Sequence, residues 1–186
     1  MGATKEKLLE AEYFLTQMEE KRADRAPFKY SLSAFLSAAR SVTLYAQKAF
    51  KRVPGFEEWY AQKRKEMDGD PAMRFFLEAR NIALKQEHVP TRAQIDMTLT
   101  STVDITCSVE AVLIRADGTR EVQDLDASDP PQAPAQAKPE PTVEWMWYFE
   151  SLPDNVSEKD VVTLCAEHVT KLRAFVEECE ARFSSS

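Results

Sequence analysis

The chain has 186 residues, of which 44% are hydrophobic and 30% charged, and this composition is typical of a globular protein with a substantial core. Its formal net charge is -7. Because its 4 glycines all lie far apart, the sequence excludes the glycine-rich phosphate loops of kinases, P-loop NTPases and dinucleotide-binding domains.

The cysteines point to a reducing compartment. Cys107, Cys165 and Cys179 form no CxxC pair and leave one thiol over in any disulfide scheme, and they offer no zinc framework.

No apolar run approaches the roughly 18 residues of a membrane span, and residues 1–12 are too charged for a signal peptide. We therefore expect a cytoplasmic protein that does not contact membranes and needs no metal and no cofactor.

Charge divides the chain into two unlike halves. Residues 1–95 carry 17 basic and 13 acidic side chains, net +4, whereas residues 96–186 carry 7 and 18, net -11. The basic side chains are densest over residues 21–65. Such a stretch is able to meet an anionic partner such as RNA, or to form solvated helix faces that dock on the acidic half of the same chain or of a second subunit. The second interpretation fits the negative net charge better.

Apolar residues recur at helical spacing through the first half of the chain and predict four helices. These helices cover residues 4–22, 28–51, 56–67 and about 71–87. The second contains many small side chains, so we expect it to be central. Between the third and the fourth, Gly69 permits a left-handed turn, Asp70 is a suitable cap and Pro71 suits the first helical position.

After Pro90 the apolar period changes to 2, which predicts β-strands. The alternation from Ile95 to Val109 indicates one long strand or two. Asp117–Gly118 predicts a hairpin turn, after which the chain returns as a strand over residues 119–122. The segment that follows, 124–142, is rich in Pro, Ala and acidic residues and is predicted to be an exposed flexible loop.

The C-terminal part of the chain predicts one more strand and one more helix. Val143–Phe149 alternates, with Trp145 and Trp147 on the same face. Ser157 and Asp160 resemble a capping box that opens a helix ending near residue 183. Its predicted apolar stripe consists of Val161, Cys165, His168, Leu172, Phe175, Cys179 and Phe183.

Together these patterns predict an α+β fold that is mainly α, namely an antiparallel helical bundle with a small antiparallel β-sheet inserted before the last helix. Residues 1–90 and 157–183 form the bundle in this prediction. Residues 94–150 form the inserted sheet, including the Pro-rich loop at 124–142. We expect residues 1–186 to make a single domain.

Two histidines are present, and neither stands in an obvious catalytic pattern. His168 lies in the apolar stripe of the last helix, which favours a packed, hydrogen-bonded core histidine over a catalytic one. His88 follows the fourth helix, where a cation favours the helix dipole. The face with Trp145 and Trp147 is more typical of sheet core, although with His168 it also offers a small-molecule pocket between sheet and bundle.

One further constellation is Arg80–Asn81 followed by His88, in FFLEARNIALKQEHVP. With the helix FKYSLSAFLSAARSVT, the WY helix and Asp70–Pro71, this segment resembles the HEPN superfamily (higher eukaryotes and prokaryotes nucleotide-binding domain), in an uncharacterised bacterial branch. The resemblance covers residues 28–90. It implies a homodimer in which an Arg and a His from two subunits form a metal-independent RNA-cleaving site. Arg80 then stabilises charge on the phosphorane, His88 acts as general acid or base, and Asn81 orients His88 or the phosphate.

Seven residues separate Arg80 from His88, one more than the family pattern has, and this spacing favours a function without catalysis. We therefore expect a HEPN-like, non-catalytic protein-interaction module whose acidic half and aromatic strand contact a partner. The alternative is a metal-independent endoribonuclease with Arg80, Asn81 and His88 as its catalytic residues. A second alternative is a small-molecule-binding protein. The expected partners are a second copy of the chain and another protein, with RNA as an open alternative.

Overall fold

The structure is a computed structural model that describes residues 2–85, 89–98, 110–114, 118–124 and 142–184. These residues are mainly helical, with a small antiparallel sheet before the last helix, and this confirms the predicted fold class. The elements in chain order are α1 (Ala3–Glu20), α2 (Arg25–Phe50), α3 (Phe56–Gly69), α4 (Pro71–Lys85), β1 (Thr91–Thr98), β2 (Glu110–Ile114), β3 (Arg120–Asp124), β4 (Thr142–Phe149) and α5 (Val161–Phe183).

The chain divides into two compact units. The first consists of Met1–Asp96 and Glu144–Ser186 and contains all five helices of the described residues. The second is Met97–Val143, and it contains the hairpin β2–β3. That residues 1–186 form a single domain stays a prediction. Among the described residues, no helix combines the length and the apolarity that crossing a membrane requires.

Helix α2 is central to the first unit, as its small side chains predicted. It begins at Arg25, three residues earlier than expected, with Asp24 extended at the N-cap. Pro27 is compatible with this start because the first-turn amides of a helix have no intrahelical acceptor. Along its length α2 buries Phe28, Leu32, Phe35, Leu36, Ala38, Ala39, Val42, Thr43 and Ala46.

The junction of α3 and α4 is capped by Asp70, as predicted. Asp70 Oδ1 accepts hydrogen bonds from the backbone amides of Ala72 at 2.9 Å and Met73 at 3.2 Å. The left-handed turn predicted at Gly69 is wrong, because Gly69 is the last residue of α3 and its φ is not positive. The positive φ of 81° belongs to Gly55, directly before α3, where the absence of a Cβ removes the strain.

The strands form two two-stranded sheets, β1 with β4 and β2 with β3. β2 and β3 are antiparallel, from the pair Glu110 and Asp124 to the pair Ile114 and Arg120. Gly118, with a φ of 85°, lies in the connection, so the predicted hairpin is confirmed, with a return strand that begins at residue 120. The continued alternation over residues 99–109 and most of the Pro-rich loop lie outside the described residues.

The alternating pattern of β1 does not mark a buried face. Ile95 is 48% exposed and Met97 is 60% exposed. In β4 the predicted face enters the core only near its end, where Trp147 is 1% exposed while Val143 is 43% exposed.

Helix α5 closes the core, and the seven residues of its predicted stripe are all buried. It begins at Val161, because Asp160 is the N-cap residue and its side chain accepts a hydrogen bond from the Thr163 amide at 3.2 Å. The capping box predicted to start at Ser157 is therefore wrong by one turn. In its C-terminal half, α5 packs against α3 through Phe175, which stacks on Trp59 with ring centroids 5.4 Å apart.

Candidate ligand-binding site

Four helices of the first unit surround a cavity of about 260 Å³. Its walls come from α2, α3 and α4, and α5 contributes His168 and Leu172. Among the described residues, the lining consists of Leu36, Ala39, Arg40, Thr43, Leu44, Gln47, Tyr60, Arg64, Met67, Asp68, Met73, Arg74, Phe76, Leu77, His168 and Leu172.

The floor of this cavity is part of the hydrophobic core. Leu36, Ala39, Phe76 and Leu172 are each buried, and the largest exposed fraction among them is 4%. Leu44, by contrast, is 43% exposed and marks the mouth. A group that enters the cavity thus passes from solvent to a floor formed by buried apolar side chains.

Three arginines from three helices surround the cavity: Arg40 of α2, Arg64 of α3 and Arg74 of α4. Arg40 is half-buried and donates a hydrogen bond through Nη1 to Thr43 Oγ1 at 3.1 Å, whereas Arg64 and Arg74 are exposed. None of the ion pairs found among the described residues includes any of the three. Because Asp68 is the one acidic residue among the described lining residues, this part of the lining is formally positive at neutral pH.

His168 is a buried polar group of the lining. Its ring is 7% exposed and stacks on Phe76 with centroids 4.2 Å apart, while Phe35 meets it edge-on at 6.4 Å. Burial lowers its pKa to about 3; Lys171 adds to this effect and Asp70 opposes it. The imidazole is therefore neutral at physiological pH. The predicted packing of His168 in the core is confirmed, but its predicted hydrogen bond is not, because within the described structure its buried Nδ1 has no hydrogen-bond partner.

The charged groups beside His168 on α4 and α5 are paired with each other. Lys171 donates a hydrogen bond to Asp70 Oδ2 in an ion pair. Partial burial acts to raise the pKa of Asp70, but Lys171 and the amides of Met73 and Ala72 outweigh it, so this pKa is lowered. Asp70 and Lys171 thus neutralise each other, whereas the three arginines have no such partner among the described residues.

The two predicted catalytic residues that the structure describes, Arg80 and Asn81, do not line this cavity. Arg80 and Asn81 lie on α4, where Arg80 Nη1 donates to Asn81 Oδ1 at 3.4 Å. The buried Nε of Arg80 has no partner in the described part of the chain, and Asn81 is exposed. His88 lies outside the described residues. A catalytic role for these three residues therefore stays a prediction.

The aromatic strand face belongs to the core at its C-terminal end, where Trp147 and Phe149 are buried, whereas Trp145 is half-buried. Trp147 stacks on Phe28 with centroids 4.6 Å apart and donates through Nε1 to the Arg22 carbonyl at 2.8 Å. Neither Trp145 nor Trp147 lines the cavity, so the structure does not bring them together with His168 there.

Sequence reasoning missed the convergence of the three arginines. Its nearest signal was the basic stretch over residues 21–65, which includes Arg40 and Arg64. Arg74 lies beyond that stretch. The convergence of the three on one cavity follows from the packing of α2, α3 and α4.

Comparison with known proteins corrects the family that the sequence suggested. The family model of bacteriophage lambda protein ea47 matches residues 1–155, which is most of the chain. Searches of curated proteins and of solved structures gave no match. The resemblance to the HEPN superfamily is wrong, because this match covers the same residues 28–90 and no HEPN-like family matches. The chain belongs to the bacteriophage lambda protein ea47 family.

Proposed function

We propose that this protein is a non-catalytic binding module for a small organic anion, which it holds in the cavity between α2, α3, α4 and α5. One observation carries the proposal. Three arginines with no ion-pair partner among the described residues converge from three helices on a cavity with an apolar floor.

The chemistry of the lining favours an anion with an organic body. A guanidinium group presents a planar fork of donors that matches carboxylate and phosphate oxygens, and such charge-assisted hydrogen bonds are among the strongest in proteins. Leu36, Phe76 and Leu172 supply the apolar surface that a compact organic body needs. The volume of about 260 Å³ is close to the lower limit of about 300 Å³ for ordinary ligand pockets, and it therefore favours a small ligand.

A fluorescence titration with 8-anilinonaphthalene-1-sulfonate tests this proposal, because the probe is an organic anion that fluoresces in apolar sites. We expect saturable binding at one site. In the triple variant Arg40→Gln, Arg64→Gln, Arg74→Gln we expect the Kd to rise at least about tenfold, since each charge-assisted hydrogen bond contributes about 1.5 kcal/mol or more. The double variant at Arg64 and Arg74, which are exposed, gives the same test with less effect on folding.

The matched control is Arg25→Gln, an exposed arginine of α2 that does not line the cavity. Its Kd should stay within about twofold of the wild type, and circular dichroism verifies that every variant is folded. Non-saturable binding, or equal affinity in the triple variant and in the control, contradicts the proposal.

We also propose that the protein is cytoplasmic. This location is supported by Cys165 and Cys179, which are both free thiols and both buried. Three further expectations stay predictions: contact with a protein partner, homodimer formation and RNA binding. The arginines of the cavity are the first residues to substitute when an anionic partner is tested.

A further inference from the structure

We infer that the ligand is an extended dianion, with one anionic group at the three arginines and the other at Lys51, the C-cap residue of α2. The inference rests on the proposed function and narrows the ligand class. It assigns to the site a slender molecule with an anionic group at each end, such as an α,ω-dicarboxylate. The observation that carries it is a second cavity beside the one already described.

The second cavity lies between α2 and α3 and has a volume of about 210 Å³. It shares Gln47, Tyr60 and Arg64 with the first cavity, the one between α2, α3, α4 and α5. Tyr60 is 8% exposed, whereas Gln47 and Arg64 are exposed. Exposed side chains change rotamer within nanoseconds. A ligand is therefore able to lie across Tyr60, from the first cavity into the second.

The positions of the lining residues along α2 set the length of this ligand. Arg40, Gln47 and Lys51 lie on one face of the helix, because they follow one another at intervals of seven and four residues. Lys51 continues the helical backbone, with a φ of -55° and a ψ of -20°. At 1.5 Å per residue, Arg40 and Lys51 are about 16 Å apart along the helix axis. Only an extended ligand contacts both, whereas Arg64 lines both cavities.

The charges of the second cavity favour an anionic group at Lys51. The charged residues of its described lining are Lys51, Arg64 and Glu57, and since Arg64 and Glu57 cancel, Lys51 supplies the positive excess. Lys51 is exposed and belongs to none of the ion pairs found among the described residues. The C-terminal end of α2 and the first turn of α3 both line this cavity, and their helix dipoles oppose each other. The side chains therefore decide which charge is bound.

The part of the site between the two ends favours a slender, apolar spacer. Phe56 of the second cavity is 0% exposed and stacks on Tyr60 with ring centroids 5.5 Å apart. Each cavity by itself is smaller than the roughly 300 Å³ at which ordinary ligand pockets begin. An unbranched hydrocarbon chain between two anionic groups fits these dimensions better than a bulky ring system.

Decanedioate and its monomethyl ester test this inference, because they share one carbon chain and differ by one negative charge. Each is titrated against bound 8-anilinonaphthalene-1-sulfonate at low ionic strength, and its Kd is obtained from the loss of fluorescence. We expect the dianion to bind about fivefold more tightly, near the upper limit for an exposed ion pair, although the net charge of -7 opposes it. In Lys51→Gln the two compounds should bind within about twofold of each other, and Lys51→Glu should reverse the preference.

Lys48→Gln is the matched control, since Lys48 is an exposed lysine in the last turn of α2 that lines neither cavity. It should retain the fivefold preference. Butanedioate is the control for length, because it is a dianion too short to reach both ends, and its Kd should not respond to Lys51→Gln.

Three results overturn the inference: no displacement of the probe by decanedioate, equal binding of the two long compounds to the wild type, or an undiminished preference in Lys51→Gln. The proposed function fails by a different result, in which the double variant at Arg64 and Arg74 binds the fluorescent probe as tightly as the wild type does.

Discussion

Trp147 and His168 are both buried aromatic residues of the first unit with a ring nitrogen, yet the fold treats the two nitrogens differently. Trp147 Nε1 donates to the Arg22 carbonyl at 2.8 Å, and the ring stacks on Phe28. The ring of His168 is stacked equally well, on Phe76, but its Nδ1 has no partner in the part of the chain that the structure describes.

This difference separates a polar group whose hydrogen bond adds to the stability of the fold from a polar group that has no partner among the described residues. A satisfied donor in the core adds to stability, whereas an unsatisfied buried nitrogen subtracts from it by about 1–3 kcal/mol. Violations of this kind are expected at functional sites, where stability is lost for the sake of binding. The surroundings of Trp147 therefore belong to the framework, and those of His168 belong to the candidate site.

The largest effect is expected at Trp147. Trp147→Ala removes a side chain that is 1% exposed and should lower the free energy of unfolding by about 3–5 kcal/mol, because it leaves a cavity against Phe28. Urea denaturation followed by circular dichroism measures this loss. Trp147→Phe is the control, since it keeps a stacked ring and loses the hydrogen bond to Arg22, and its loss should be smaller. A loss below about 1 kcal/mol for the alanine variant contradicts a framework role.

The second effect is a pH dependence that comes from His168. Its folded pKa is about 3, whereas histidine in an unfolded chain titrates near pH 6.5. Below about pH 6.5 the unfolded state binds a proton that the folded state does not bind. The free energy of unfolding should therefore have its full value above about pH 6.5. At pH 5 it should be about 2 kcal/mol lower than at pH 7.

Urea denaturation at pH 7, 6 and 5 measures this slope, and His168→Phe should remove it. The carboxylates with lowered pKa values, Asp70, Glu66 and Glu178, contribute in the same direction, but only near and below about pH 4.5, where carboxylates of the unfolded chain titrate. From pH 7 to pH 5 the difference in slope between the wild type and His168→Phe thus isolates His168, because His88 is present in both. Equal slopes in the wild type and the variant would show that His168 is protonated in the folded state.

The third prediction compares the helix cap beside Trp147 with the helix cap near His168. Asp160 caps α5 and also accepts a hydrogen bond from the Trp147 amide at 3.2 Å, and it pairs with Arg22 at 3.4 Å. Asp70 caps α4 near His168 and pairs with Lys171 at the surface. We expect Asp160→Ala to lower the free energy of unfolding by about 2 kcal/mol, and Asp70→Ala by about 1 kcal/mol.

Thermal or urea denaturation of the two variants gives this comparison. The difference arises because Asp160→Ala also leaves the amide of the buried Trp147 without its acceptor. Asparagine is the control at both positions, since it preserves capping and removes the charge. A larger loss for Asp70→Ala than for Asp160→Ala reverses the assignment of framework and site.

The smallest effect is expected for His168→Phe at pH 7. Phenylalanine keeps a ring against Phe76 and removes the unsatisfied nitrogen, so the free energy of unfolding should change by less than about 1 kcal/mol or rise. Urea denaturation at pH 7 measures it. A loss comparable to that of Trp147→Ala would mean that Nδ1 has a stabilising partner, and it would place His168 in the framework.

The helices were predictable because their signal is local. The stripe of α5 and the cap at Asp70 are both present in the structure, since apolar periodicity and capping depend on residues within a few positions of one another. One error concerns the residue at which a helix begins. Asp160 rather than Ser157 caps α5, because both are good capping residues and only the packed helix selects between them.

The candidate site was harder to predict. The place of His168 in an apolar stripe predicted that it is a core residue. The motif that resembles another family contains Arg80, whereas Arg74 on the same helix belongs to no motif. No local pattern distinguishes a solvated arginine from one that lines a cavity. Arginine occurs in both places, and whether an arginine lines a cavity depends on which helix packs opposite it.

The local pattern of apolar residues is sufficient to predict amphipathic helices with a small sheet before the last one, because each helix must bury one apolar face. That Arg40, Arg64, Arg74 and His168 line one cavity, by contrast, became visible only once the helices were packed together. Residues 40 and 168 lie far apart along the chain, and the distance between their side chains depends on helix packing, which no short stretch of sequence specifies.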